Sequence, residues 1–365
     1  MNVIILSGRF GMGHRMAAEA IGEEFLHQDP KSNIIEVDLL EYLYPIAHKF
    51  LYIGFHMLVE KCHTIYNWIH RFSRRVEVDM KPAGFSVYRK LRCLIERYQP
   101  DMIICTLPLC AQAIASYKEK TGCKIPLITC ITDISTHPEW VISNVESYLA
   151  PTVSIKNHLI QAGKNANSIY VTGIPVRQEF LNHTEVEKKK SLKHQEKHIL
   201  IMGGGLGLLP HMDCLMEFIH QNPHIKATVL TGKNKKAYKR LNGKYDNVNV
   251  LGYTNHVSDY MQEADLIITK VGGSTLFEIL HCETPMFVIH PFLEQEVYNA
   301  HFVEEQNIGM VVWKRSENYI LQLQELLLDD KKLNTMRKNI VQSKKEIIEI
   351  ELEQVVQIWN KGSVA

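Results

Sequence analysis

The segment "VIILSGRFGMGH" (residues 3–14) begins with an apolar run and ends in a glycine-rich turn. Residues 3–7 are typical of a buried strand, and a helix-length segment, 14–28, follows the turn. A glycine-rich turn between a strand and a helix suits a phosphate, because backbone N–H groups at a helix N-terminus attract anions. A phosphate site does not need the imidazole of His14, with which this turn ends. A catalytic site does use histidine, as a proton acceptor near neutral pH.

The same arrangement recurs through the first half of the chain. Strand-like runs occupy residues 3–7, 34–40, 101–106, 126–132, 147–152 and 168–173. Several are apolar throughout, as parallel strands covered on both faces are, and helix-length segments such as 14–28 and 85–98 lie between them. This alternation predicts the α/β class with a doubly wound parallel sheet.

The pattern restarts after a polar, lysine-rich stretch, 181–197, which reads as a linker. The second set of strand-like runs is 198–204, 226–232, 247–253, 265–273, 285–291 and 308–313. We therefore expect one domain over 1–180, a second over 198–315, and C-terminal helices over 316–365 that pack back across the domains. Open α/β sheets bind ligands at the carboxyl ends of their strands, so we expect a cleft between the two domains.

Composition narrows the function. Lys and Arg number 41 and Asp and Glu 40, so a net charge of +1 provides no long-range field for nucleic acid, and none is expected as a partner. The eight cysteines form no CxxC pair and lie mostly in or beside apolar runs, which favours core thiols in a reducing compartment. The N-terminus has no basic region followed by a cleavage signature, so we expect an intracellular protein.

One segment, 42–75, fits neither sheet. It combines aromatic and aliphatic residues with five Lys or Arg and a single acid, Glu60. Its longest stretch without Asp, Glu, Lys or Arg is Phe50–Val59, ten residues, whereas a membrane-spanning helix needs about 20. The segment therefore cannot cross a bilayer, but its composition suits a helix that lies on an anionic lipid surface. The alternative is a pair of amphipathic helices packed on the protein.

Two glycine-rich stretches of the second half are candidate phosphate sites. "IMGGGLG" (201–207) follows a strand, but it is neither a P-loop nor a dinucleotide fingerprint, and a tight turn without a ligand is the alternative. In "TKVGGSTLFEIL" (269–280), Ser274 and Thr275 open a helix and Glu278 lies about one turn further on. Glu278 is placed to bind a ribose diol if a nucleoside diphosphate lies on the helix dipole. The alternative for these three residues is a capping box.

Polar side chains also cluster at "HPFLEQEVYNA" (290–300), where Glu294, Gln295, Glu296 and Asn299 lie on a loop that leads into a helix. Such a cluster suits the hydroxyl groups of a sugar, and the alternative is a solvated helix start.

In the first half, "CITDISTHPEW" (130–140) places Asp133, His137 and Trp140 at the end of an apolar strand, a combination that favours an acceptor site. For His137 an ordinary His-Pro turn is the alternative. No Asp-x-Asp stands at a strand end to hold a metal with a diphosphate, so we expect a metal-independent mechanism without a cofactor.

Five motifs in order carry a resemblance to a known family. They are "GMGHRMAAEAI" (11–21), "TDISTHPEWV" (132–141), "YVTGIPVRQEF" (170–180), "ILIMGGGLG" (199–207) and "GGSTLFEILHCETPMFVIHPFLEQEVYNA" (272–300). Together they resemble the monogalactosyldiacylglycerol synthase and processive diacylglycerol glucosyltransferase family (glycosyltransferase family 28). They are more distantly similar to the peptidoglycan N-acetylglucosaminyltransferase. The likeness covers about residues 3–313.

The resemblance implies the GT-B fold, in which two Rossmann-like domains face each other across a cleft. It implies that the N-terminal domain takes the acceptor and the C-terminal domain the UDP-sugar, a co-substrate. It further implies inverting, metal-independent transfer of a hexose to a membrane lipid, most simply diacylglycerol or a glycosyldiacylglycerol. The partners are then a UDP-sugar, a lipid acceptor and, through 42–75, the inner face of the cell membrane, to which a cytoplasmic protein attaches peripherally.

Site residues follow from the same resemblance. It implies that His14 is the catalytic base, with Asp133 orienting it or serving as the alternative base. The implied acceptor-binding residues are Gly11, Gly13, His137 and Trp140. The implied donor-binding residues are Gly204, Gly205, Leu206, Tyr253, Gly273, Ser274, Thr275, Glu278, Gln295, Glu296 and Asn299.

Two departures from the family leave the donor open. Lys270-Val271-Gly272-Gly273 stands where these enzymes usually have Lys-Pro-Gly-Gly, and 292–296, Phe-Leu-Glu-Gln-Glu, stands where they often have Pro-Gly-Gln-Glu. The second change adds a carboxylate beside the donor sugar, so UDP-glucose, UDP-galactose and UDP-N-acetylglucosamine all remain candidates. Alternative functions are a UDP-N-acetylglucosamine transferase for another lipid-linked acceptor, a UDP-sugar 2-epimerase and a non-catalytic UDP-sugar-binding protein.

Overall fold

A computed structural model describes residues 1–62, 64–68, 72, 84–181, 196–204, 207, 212–314 and 318–362. Several predictions fall outside these residues: the roles of Gly205 and Leu206, nearly all of the linker, and part of the end of the 42–75 segment. The chain divides into two compact units, described one at a time below. The first comprises residues 1–178, 293–295 and 347–365, and the second comprises residues 179–292 and 296–346.

The first unit is built on a parallel sheet whose strand order is β2-β1-β3-β4-β5-β6. Its strands are β1 (Asn2–Ser7), β2 (Asn33–Asp38), β3 (Met102–Cys105), β4 (Leu127–Cys130), β5 (Ser147–Ala150) and β6 (Ile169–Val171). Each matches one of the predicted runs. The central strands are buried along nearly their whole length, because helices cover both faces of the sheet.

Helices alternate with these strands. They are α1 (Gly13–Gln28), α2 (Leu39–Leu43), α3 (His48–Lys61), α4 (Phe85–Tyr98), α5 (Pro108–Thr121) and α6 (Val153–Gln161), and α7 (Gln178–Leu181) follows at the boundary with the second unit. The chain runs from β1 to β2 on one side and then returns to place β3 on the other side of β1. A doubly wound sheet with this reversal has its switch point between β1 and β3.

The second unit repeats the design with the strand order β12-β11-β10-β7-β8-β9. Its strands are β7 (Lys197–Met202), β8 (Ile225–Leu230), β9 (Val248–Leu251), β10 (Leu266–Thr269), β11 (Met286–Ile289) and β12 (Gly309–Val312). Its helices are α8 (Met212–His220), α9 (Lys235–Leu241), α10 (Val257–Glu263), α11 (Gly273–Cys282), α12 (Glu294–Glu305), α13 (Tyr319–Leu328) and α14 (Asp330–Ile347). Here the switch point lies between β7 and β10. The predicted doubly wound α/β fold is confirmed in both units.

The last helix, α15 (Leu352–Asn360), packs in the first unit. The ring of Trp359 stacks on Phe25 of α1 at 6.2 Å and meets Tyr170 edge-on at 6.4 Å. The backbone N–H of Glu349 donates to the carbonyl of Val171, at the end of β6. The sequence predicts helices here, and the structure shows that the last of them completes the N-terminal core.

Segment 42–75 contributes the end of α2, the whole of α3 and a helical stretch over 64–68. Among the described residues, no helix is both long and apolar enough to span a bilayer. One face of α3 packs on the protein through Tyr52 and Phe55. The opposite face exposes Phe50 (73%), Ile53 (57%) and Met57 (51%), spaced so that they share one side of the helix. The helix is thus packed on one side and apolar toward solvent on the other.

Candidate functional site

The switch point of the first sheet brings His14 and Thr106 together. His14 is the second residue of α1, which follows the turn after β1, and Thr106 directly follows β3. Loops that leave adjacent strands at a switch point diverge toward opposite faces of the sheet and leave a crevice, which is where such sheets bind ligands. The predicted base therefore lies where the topology of the sheet expects a ligand.

Hydrogen bonds fix the tautomer of His14. Its Nδ1 lies 2.8 Å from the carbonyl oxygen of Thr106, and because a carbonyl only accepts, Nδ1 carries the proton. The Thr132 hydroxyl lies 2.8 Å from the same nitrogen, and the Thr106 hydroxyl donates to the carbonyl of His14. The lone pair then resides on Nε2, which has no hydrogen-bond partner in the described part of the chain. This is the arrangement that a general base requires.

The protonation of His14 follows from its surroundings. Burial lowers the pKa of its imidazole from the usual 6.5, because the cationic form loses hydration. The hydrogen bond to Thr106 and the negative charge of Asp133 raise the pKa but do not outweigh burial. The ring is consequently neutral at neutral pH and able to accept a proton.

Asp133 follows β4 and is held on both oxygens. Its Oδ1 accepts hydrogen bonds from the backbone N–H of Ser135 at 2.9 Å and from the Ser135 hydroxyl at 2.6 Å. Its Oδ2 accepts from the indole N–H of Trp140 at 2.8 Å. The carboxylate acts on His14 through its charge, whereas the hydrogen bond that orients the imidazole comes from Thr106. Neither Thr106 nor Thr132 was among the residues predicted for the site.

The structure places the predicted acceptor residues His137 and Trp140 in the interior, and their contact with an acceptor stays a prediction. Both side chains are buried, at 3% and 2% exposure. His137 precedes a short turn of 3-10 helix, Pro138–Trp140, and its Nδ1 accepts from the backbone N–H of Glu139. Trp140 belongs to the core beneath β4 to β6 and donates to Asp133. Trp140 therefore holds Asp133 through its indole N–H, and His137 holds the turn that follows it.

The lowered pKa of His14 predicts how a reaction that uses it as a base would depend on pH. A base must be neutral in the free enzyme, so kcat/KM should hold as pH falls through 6.5 and decline only at lower pH, where the buried imidazole takes up a proton. Because the Asp133 charge raises this pKa, the change Asp133→Asn should move the acidic limb to still lower pH. A pH series of kcat/KM for both proteins measures the shift, and an acidic limb that moves upward would contradict the assignment of His14.

Glycines shape the turn before His14 in different ways. Gly11 has φ +87°, a left-handed conformation that favours glycine, and a Cβ there would meet nothing within 4 Å. At Gly8 a Cβ would lie 2.9 Å from Leu107 Cδ2, so lack of space favours glycine at that position. Gly13 is the first residue of α1. The predicted contacts of Gly11 and Gly13 with an acceptor stay predictions.

The switch point of the second sheet brings the two predicted phosphate turns together, one after β7 and one after β10. Gly204 has φ +66° and a Cβ there would meet nothing within 4 Å. Gly207 has φ +63°, and its Cβ would lie only 1.9 Å from the carbonyl oxygen of Thr231. The Asn234 side chain also donates to the carbonyl of Gly207 at 3.2 Å. Gly207, the last glycine of "GGGLG", is thus required by close packing on the loop after β8, a role that its sequence motif does not reveal.

The turn after β10 leads directly into α11. Gly272 is the N-cap, and no side chain caps the helix. The hydrogen bonds of the helix start with the backbone N–H of Leu276, which donates to the carbonyl of Gly272. The N–H groups of Gly273, Ser274 and Thr275 precede these hydrogen bonds and stand at the positive end of the helix dipole. A capping box formed by Ser274 or Thr275 is therefore the wrong alternative.

Side chains behind this turn support it. Glu278 is buried at 8% exposure one turn into α11, and Asn299 is buried at 1%. The amide of Asn299 donates to the carbonyl of Val271 at 2.9 Å and so holds the turn. Glu296 accepts from the backbone N–H of Phe292 at 3.3 Å, which closes the turn before α12, while Gln295 is partly exposed. Their predicted contacts with a donor sugar stay predictions.

Two cations lie at the carboxyl edge of the same sheet. Tyr253, which follows β9, is 57% exposed, and Lys233 Nζ lies 5.9 Å from its ring centroid. Lys270, at the start of the turn after β10, places Nζ 3.6 Å from the ring centroid of Phe292. Within the part of the chain that the structure describes, no group of three His, Cys, Asp or Glu residues is arranged to hold a metal ion.

Known proteins share this arrangement. The model of the monogalactosyldiacylglycerol (MGDG) synthase family matches residues 14–176, and that of the glycosyltransferase family 28 C-terminal domain matches residues 169–350. The processive diacylglycerol beta-glucosyltransferase of Bacillus licheniformis is 30% identical over 362 residues, which cover 93% of this chain and 90% of the relative. The chain belongs to this glycosyltransferase family. Membership confirms the resemblance carried by the five motifs and identifies the protein as a glycosyltransferase.

Solved structures agree with the fold. The UDP-GlcNAc 2-epimerase of Neisseria meningitidis, bound to UDP-GlcNAc, matches with a TM-score of 0.60 at 16% identity over 99% of both chains. MurG of Acinetobacter baumannii matches with the same TM-score, identity and coverage. At this identity the likeness concerns the fold alone. The predicted GT-B fold is confirmed.

Proposed function

We propose that this family member transfers a hexose from a UDP-sugar to a membrane lipid, with diacylglycerol or a glycosyldiacylglycerol as acceptor and inversion at the anomeric carbon. The observation that carries the proposal is His14, a neutral imidazole whose Nε2 lone pair is left for a substrate at the switch point. The name of the Bacillus licheniformis relative supports diacylglycerol as acceptor and glucose as the first donor sugar to test.

The proposed reaction is a single displacement. Nε2 of His14 takes the proton of the acceptor hydroxyl. At the same time the oxygen of that hydroxyl forms a bond to the anomeric carbon, on the face opposite the diphosphate. The bond between the anomeric carbon and the diphosphate oxygen breaks, and both electrons leave with UDP. Asp133 stabilises the imidazolium that results, because its charge favours protonated His14. The proposed reaction requires no metal ion.

The second unit supplies the proposed donor site except for Gln295, which belongs to the first unit. The N–H groups that open α11, together with the turn at Gly204, would stabilise the negative charge of the leaving diphosphate. Glu278 is placed to accept hydrogen bonds from the ribose diol. Gln295 and Glu296 would read the donor sugar, and Tyr253 would contact the nucleoside.

The exposed face of α3 is the proposed contact with the lipid bilayer, on its cytoplasmic side. Phe50, Ile53 and Met57 would enter the boundary between headgroups and acyl chains, as the apolar face of an interfacial helix does. A peripheral enzyme can then reach a hydroxyl whose acyl chains stay in the membrane.

The double change Phe50→Ser/Ile53→Ser tests this contact. Removing two large apolar side chains from a lipid-facing surface should weaken binding to phosphatidylglycerol-containing vesicles by roughly 100-fold, at about 1.5–3 kcal/mol for each fully buried side chain. Co-sedimentation with vesicles measures the partition. Leu328→Ser is the matched control, because Leu328 is also 73% exposed but lies on α13 of the second unit. Equal binding of the double variant and the control would contradict the proposed contact.

Product analysis tests the function itself. Purified protein is incubated with vesicles that contain diacylglycerol and with radiolabelled UDP-glucose, UDP-galactose or UDP-N-acetylglucosamine, with and without a chelator. We expect labelled glycolipid from a single donor, undiminished by the chelator. Interconversion of UDP-sugars without a lipid product would instead identify an epimerase, and UDP binding without either product a non-catalytic protein.

A further inference from the structure

The turn that leads to His14 is packed against α3, the same helix whose outer face is exposed. Phe10, in that turn, meets the ring of Tyr52 at 5.1 Å and that of Phe55 at 5.0 Å, both edge-on. Edge-to-face aromatic pairs at such distances are favourable beyond the area they bury. The inner face of α3 thus packs against one side of the turn.

The hydroxyl group of Tyr52, on α3, bonds to the end of β2 beside the turn. It donates to the carboxylate of Asp38, whose two oxygens lie 2.7 and 2.8 Å away. The neighbouring Gly8 leaves little room, since a Cβ there would lie 3.4 Å from the same hydroxyl. The hydroxyl therefore links α3 to the end of β2 and lies against the turn.

Ion pairs join the turn to the end of β2 and to α2. The guanidinium group of Arg9 lies 3.4 Å from Asp38 and 2.9 Å from Glu41. Asp38 also accepts from the backbone N–H of Glu41 as the N-cap of α2. Asp38 is only 10% exposed, whereas Arg9 is 57% exposed, so solvent weakens the ion pairs more than it weakens the hydrogen bond of Tyr52.

We propose that Tyr52 is a positioning residue for acceptor transfer, which holds the turn of residues 8–13 against the proposed lipid-contacting helix. The inference rests on the proposed function. The turn begins α1 and so sets the place of His14 relative to an acceptor hydroxyl. Because α3 carries Tyr52 on one face and Phe50 and Ile53 on the other, one rigid helix connects the membrane contact with the base.

The change Tyr52→Phe tests this role, because it keeps the ring packed on Phe10 and removes only the hydroxyl. We expect kcat for transfer to diacylglycerol in phosphatidylglycerol-containing vesicles to fall roughly 10-fold, since small displacements of reacting groups cost rate steeply. The Kd for UDP and the fraction bound to vesicles should equal those of the wild type, because neither site contains the hydroxyl.

Tyr42→Phe is the matched control. Its hydroxyl is also partly buried and donates to a backbone carbonyl, that of Lys90, but it does not touch the turn. The combination of Tyr52→Phe with Asp38→Asn adds a second readout. If the two residues act as one unit, the double variant should lose little more kcat than the worse single variant.

The outcomes separate the two proposals. A wild-type protein that transfers no sugar to lipid overturns the proposed function, and the positioning role with it. An active wild type whose Tyr52→Phe variant matches Tyr42→Phe in kcat overturns the positioning role alone. A variant that loses kcat only in proportion to a lower unfolding temperature does the same, because its hydroxyl then serves stability.

Discussion

The change His14→Ala is expected to lower kcat by about 10²–10⁴-fold, the range that a general base typically contributes. The reason is the geometry at Nε2: the alanine variant has no group to take the proton of the acceptor hydroxyl as the glycosidic bond to UDP breaks. His14 belongs to the first unit, whereas the proposed UDP-binding residues belong to the second, so the Kd for UDP should stay near that of the wild type. Steady-state kinetics with the lipid acceptor and calorimetry with UDP measure the two quantities.

His27→Ala is the control for this experiment. His27 lies on the same helix, in its exposed last turn, and should be replaced with little effect on kcat. Activity retained in His14→Ala would remove His14 from the mechanism and leave Asp133, the alternative base, to be examined by the same assay.

The change Gly207→Ala should lower the free energy of unfolding of the second unit by about 3–5 kcal/mol, from overpacking and backbone strain together. A methyl group cannot occupy a point 1.9 Å from the carbonyl oxygen of Thr231. Either the turn after β7 or the loop after β8 must move, because the clash is with a backbone atom and not with a flexible side chain. The shift would also displace the proposed diphosphate site, so UDP binding should weaken.

Gly204→Ala separates the two causes. Gly204 shares the left-handed conformation, with φ +66°, but has open space around it, so only the backbone strain of about 1–2 kcal/mol applies. Urea unfolding, monitored by amide hydrogen exchange in β7, measures the free energy of unfolding of both variants. Equal destabilisation of the two variants would show that packing against Thr231 is unimportant.

Much of the fold can be predicted from local sequence. Parallel strands that are buried on both faces read as continuous apolar runs, and the 12 strands found among the described residues all coincide with predicted ones. The glycine turns after β1, β7 and β10 identify the switch points, because a chain that changes direction tightly there needs residues without side chains. His14 is visible for the same reason: it is a titratable side chain at the end of such a turn.

Other parts of the site depend on contacts between distant segments. Thr106 orients His14 through a backbone carbonyl, and any residue has one, so its type carries no signal. Trp140 is buried because it packs with residues of β5 and β6, which a polar-looking motif does not reveal. Gly207 is constrained by a carbonyl of the neighbouring loop. These relations appear only when the sheet order brings the segments together.

The docking of α15 in the first unit has a consequence for how the protein is made. Ribosomes release a chain from its N-terminus onward, and N-terminal domains ordinarily fold before the rest is complete. Here the ring that covers Phe25 and Tyr170 belongs to Trp359. The nascent first unit therefore keeps part of its apolar surface uncovered until the second unit and α15 have been translated.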